Sequence, residues 1–68
     1  MPAHVVWIML IVFWTPGKDT PTRIEHDKFT SQDVCDNMAQ ALDREWKSRV
    51  KGGSTSWLCT GAFPAPTT

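Results

Sequence analysis

The chain has 68 residues, and its seven basic and seven acidic side chains cancel to a formal net charge of zero. One domain near the lower size limit for a self-supporting core is all that such a length allows, which excludes a fold with a deep substrate cleft. The balanced charge excludes a global field that would draw nucleic acid or an acidic membrane surface, and four Trp in so short a chain can compensate for a small core.

The first element is the unbroken apolar run VVWIMLIVFW, residues 5 to 14. It is too short for a membrane-spanning helix, which needs about 20 residues. As an export signal it has the length of an apolar segment, but only His4 precedes it in place of Lys or Arg, and TPGKDTPTR offers no small-x-small cleavage site. Its β-branched and aromatic residues fit a strand. Both parities are apolar: Val5, Trp7, Met9, Ile11 and Phe13 on one side, Val6, Ile8, Leu10, Val12 and Trp14 on the other. A strand apolar on both faces belongs in the middle of its sheet.

TPGK, residues 15 to 18, has Pro and Gly where a type II turn needs them. RIEHDKF, residues 23 to 29, reads as a second, polar strand whose charges suit a sheet edge. Thr30 is the expected helix cap, with Asp33 completing an imperfect capping box and Phe29 meeting Val34 as a hydrophobic staple. Val34, Cys35, Met38, Ala39, Leu42, Trp46 and Val50 then recur at three and four, giving one apolar stripe over about 20 residues. Asp43 with Lys47 and Glu45 with Arg49 form i,i+4 pairs, and Gly52 and Gly53 stop the helix. STSWLCTGAF, residues 54 to 63, is a third strand with Trp57 and Cys59 on one face and Leu58 on the other. Pro64 and Pro66 end it, leaving residues 1–63 as the domain and 64–68 as a short tail.

The order strand, strand, helix, strand predicts an α+β domain of ββαβ type. The apolar first strand takes the centre, giving a three-stranded antiparallel sheet of order 2-1-3 with the helix across one face. That topology brings Cys35, early in the helix, and Cys59, late in the returning strand, to the same end of the domain, and predicts a disulfide. With 25 residues in the closed loop, the bridge stabilises the fold by about 3–4 kcal/mol in the chain-entropy estimate.

An apolar first strand, then FTSQDVCDNMAQAL, then a closing WLC resembles a loose class of small phage and prophage proteins. The likeness runs over about residues 5 to 60. The class has no established activity, so the resemblance implies a setting and no mechanism.

Site chemistry is sparse. His4, His26, Cys35, Cys59, Asp33 and Asp36 are the candidate metal ligands, but no CxxC or HxxxH spacing joins them, and neither a metal nor a cofactor is expected. A Cys35–His26 nucleophile pair would profit from the helix N-terminus, yet a lone His in a polar edge strand is ordinarily solvated, and no enzyme activity is expected. Arg44, Lys47, Arg49 and Lys51 around Trp46 read as complements to the helix dipole and to Asp43 and Glu45, not as a nucleic-acid surface.

One helix covers one sheet face, whereas the central strand is apolar on both. Trp14, Leu10 and Ile8, or else Trp7, Met9 and Phe13, should therefore face something that the monomer does not supply. The expectation is a non-enzymatic interaction or accessory protein that meets a protein partner, a second copy or a membrane through this face; the competing expectation is that the 15–22 loop and the AFPAPTT tail fold over it. The protein would work in the cytoplasm of a bacterial host, or outside it if the disulfide forms. The alternative is an exported or membrane-associated protein whose N-terminal apolar segment is a signal or anchor.

Overall fold

The computed structural model describes residues 5–62. Strands β1 (Val6–Trp14) and β2 (Arg23–Phe29) are followed by helix α1 (Gln32–Arg49) and strand β3 (Ser54–Ala62). The sheet has the order β2-β1-β3, with both pairings antiparallel. The expected ββαβ domain and its sheet order are thus observed, with β1 in the centre. The expected 64–68 tail, together with Phe63 and His4, lies outside the described residues.

Each boundary has a local cause. After β1 the chain turns through Thr15 to Lys18, where the Lys18 N–H donates to the Thr15 carbonyl at 3.3 Å. Gly17 sits at φ 81°, as the i+2 position of a type II turn requires. The Thr22 N–H then donates to the Phe13 carbonyl at 2.9 Å and closes the base of the loop.

The start of α1 corrects the expected cap by one residue. Ser31 is the N-cap, with extended backbone, and its hydroxyl accepts from the Val34 N–H at 3.2 Å. Thr30 therefore precedes the cap, the Thr30–Asp33 box does not form, and Asp33 contributes as the acid of the first turn. The staple shifts as well. Phe29 packs against the core, whereas Val34 is 47% exposed and cannot be its buried partner. Ser31 and Thr30 are both good caps by residue type, and the structure uses Ser31, with Cys35 and Ala39 buried on the inner face of the helix.

At its other end α1 stops at Val50, whose N–H donates to the Trp46 carbonyl at 2.8 Å. The Gly53 N–H then donates to the Val50 carbonyl at 2.9 Å, with Gly52 at φ 77°. A side chain at Gly52 would also stand 2.9 Å from the Pro16 ring, so this turn and the β1–β2 loop pack together.

The core lies between α1 and one face of β1. Met9, Ile11, Phe13, Cys35 and Ala39 are buried, and Trp7, Phe29, Leu42, Trp46 and Cys59 pack around them. Two attachments hold the helix down near its ends. Toward its N-terminus, Cys35 is disulfide-bonded to Cys59, with the Cα atoms 6.2 Å apart. Toward its C-terminus, the Trp46 indole N–H donates to the Trp14 carbonyl at 2.9 Å, and its ring meets Phe13 at 5.0 Å between centroids. Gly53 makes that fit possible, because a Cβ there would lie 2.8 Å from the indole nitrogen.

Candidate functional site

Register decides which side of β1 the helix takes. Cys59 pairs with Met9, Trp57 with Ile11 and Thr55 with Phe13. Because paired residues share a face, the disulfide puts Met9, Ile11 and Phe13 under the helix. Of the two sets between which parity alone could not choose, Trp7, Met9 and Phe13 are therefore the covered one. Met9 and Phe13 are buried, and Trp7 is half-buried beside Gly61, where a Cβ would stand 3.3 Å from its ring. These three do not belong to an interaction surface.

The open set is Val6, Ile8, Leu10, Val12 and Trp14. Across the sheet, Leu10 lies between His26 and Leu58, and Val12 between Ile24 and Ser56. Ile8 lies between Lys28 and Thr60 in the same way. No described helix covers these rows. Leu10 is 43% exposed, Ile24 59% and Leu58 60%, whereas Ile11, the next residue along β1, is 0% exposed. Strand geometry makes the face about 30 Å by 14 Å, roughly 400 Å² of mainly apolar surface. Its only ionisable strand residues are His26 and Lys28 of β2; Glu25 and Asp27 point to the helix side, by alternation.

The other candidate chemistries come apart in three dimensions. Cys35 is wholly buried and disulfide-bonded, and His26 lies on the far side of the sheet, so the two form no nucleophile pair. Among the described residues no group of three or more His, Cys, Asp or Glu side chains converges as a metal site would require. Lys47 and Arg49 pair with Asp43 at 3.1 Å and Glu45 at 2.9 Å, and Trp46 is committed to Trp14, which leaves no free aromatic at that helix end. Between α1 and β2 a shallow groove of about 150 Å³ is floored by Phe13, Leu42 and Trp46. Two ion pairs rim it, Arg23–Glu25 at 2.6 Å and Arg49–Glu45 at 2.9 Å, so its charges are already matched.

One carboxylate has a perturbed titration. The Thr55 hydroxyl donates to Asp43 and lowers its pKa against the opposing effect of partial desolvation, with Lys47 adding to the lowering. This contact ties α1 to β3 and is structural. No helix among the described residues is long and apolar enough to cross a membrane; the apolar run is used as a strand paired on both sides. Comparison with family models, curated proteins and solved structures returns no match to this chain.

Sequence reasoning missed the Ser31 cap, the Trp46 anchor and the Asp43–Thr55 contact. For Ser31 the only signal was residue type, since Ser caps a helix at least as well as Thr. The other two depend on side-chain geometry across elements and had none.

Proposed function

We propose that the protein is a non-enzymatic interaction module that binds a protein surface through the open face of its sheet, with Ile8, Leu10, Val12 and Trp14 as the contact ridge. The observation that supports this is the contrast along β1 between wholly buried Ile11 and half-exposed Leu10, flanked by exposed Leu58. The largest apolar patch of a domain is often its functional surface, and Trp14 offers the kind of anchor that carries binding energy.

The test is hydrophobic-dye fluorescence combined with sedimentation on the oxidised protein and on Leu10→Lys. The folded wild type should bind dye or bury the face by self-association. Leu10→Lys should lose both behaviours while keeping the near-UV circular dichroism of a folded chain. A folded wild-type monomer that binds no dye overturns the proposal.

A further inference from the structure

The two edges of the sheet are unlike. β2 presents Arg23, Glu25, His26, Asp27 and Lys28 among its seven residues. β3 presents STSWLCTGA, nine residues without a charge. Charged side chains, proline and bulges are the usual means by which an edge strand avoids pairing with another chain. β3 has none of them, since its register with β1 runs unbroken from Ala62 to Ser54. Among the described residues, no backbone hydrogen bond except those to β1 engages residues 54–62. Exposed apolar side chains stand on both faces of this edge at its middle, Leu58 on the open face at 60% and Trp57 on the helix face at 38%.

We propose that β3 pairs antiparallel with β3 of a second copy, about a twofold axis through Leu58, joining two sheets into one of six strands. Leu58 is the middle residue of Ser54–Ala62, so this register uses the whole strand. It sets Leu58 against its own copy, Trp57 against Cys59, and Ser56 against Thr60, with no like charges opposed. The occupant is a second copy because the strand is complementary to itself about that axis and the chain has no net charge to repel its copy. Area points the same way. One open face of roughly 400 Å² is about half of what each partner contributes to a specific interface, and edge pairing doubles it. That last step rests on the proposed use of the face; the edge pairing itself does not.

Two double variants separate edge from face. Ser56 and Thr60 are exposed on the open face, so Ser56→Lys/Thr60→Lys and Ser56→Lys/Thr60→Glu make it comparably polar. Across the proposed axis the first opposes Lys to Lys twice, and the second opposes Lys to Glu twice. Sedimentation of the oxidised full chain from low to high micromolar concentration should show a wild-type dimer. The Lys/Lys variant should dissociate at least about tenfold more readily than the Lys/Glu variant. Equal weakening in both variants overturns the edge pairing while leaving the open face as the contact. A wild type that stays monomeric throughout also overturns it, and the dye-binding test of the face is unaffected.

Discussion

Leu10 and Ile11 are adjacent, nearly equal in size and equally apolar, yet one is 43% exposed and the other 0%. The difference lies in what stands over each face of β1. On the covered side Cys35 and Ala39 bring small side chains to the sheet, and the Cys59 bridge and Trp46 hold the helix there. On the open side no described element does the same, and Val6, Ile8, Val12 and Trp14 are only partly buried. Apolar character in a strand thus has two placements here: half of it is packed under the helix, and half lies on a face that no described element covers.

The sharpest way to break that comparison is to place the same charge on each side. Ile11→Asp puts a carboxylate into a core with no partner for it and removes a wholly buried side chain. The penalty, several kcal/mol, is comparable with the stability of so small a domain. The variant should be unfolded by near-UV circular dichroism. Leu10→Asp should remain folded, losing about 1–2 kcal/mol through strand propensity and partial burial, well short of the Ile11→Asp penalty. If the two variants were equally damaging, the face assignment would be wrong.

Much of this was legible in the chain. Apolar residues at both parities placed β1 at the centre, the charges of RIEHDKF placed β2 at an edge, and the resulting topology brought Cys35 and Cys59 together. The helix side was not legible, for a physical reason. Cys59 must face the helix to bond Cys35, but which residues of β1 share that side depends on the register of β3. A slip of one residue would exchange Met9, Ile11 and Phe13 for Ile8, Leu10 and Val12. Nothing local in STSWLCTGA fixes that register. The uncharged edge of β3 was equally readable once the order 2-1-3 was in hand, and its meaning emerges only from contrast with β2.

A smaller effect sharpens how the covered side is held. Ser31→Ala removes the acceptor for the Val34 N–H and should lower stability by about 1 kcal/mol in urea denaturation. Thr30→Ala, one residue outside the cap and exposed, should be nearly neutral. Equal losses would mean that the first turn is shared between the two hydroxyls.

The smallest effect concerns the last tie between α1 and the covered side of β3. Asp43 accepts from the Thr55 hydroxyl and pairs with Lys47 at 3.1 Å, which lowers its pKa in the fold. A carboxylate with a lowered folded pKa stabilises the native state in full above its unfolded value of about 3.9, and that contribution is lost as pH falls through the folded pKa. The window is therefore below about pH 4. At neutral pH Asp43→Asn should cost roughly 0.3–0.5 kcal/mol, the usual range for an i,i+4 surface pair. Its acid limb, measured as the denaturant midpoint against pH, should be shallower than that of the wild type. Thr55→Val should flatten the limb in the same direction, because the Thr55 hydroxyl is the largest cause of the shift. The comparison turns on helix attachment, so neither variant should alter dye binding at the open face. Wild-type and Asp43→Asn curves that stay parallel down to the acid transition would show that this tie does not help to hold the helix to its side.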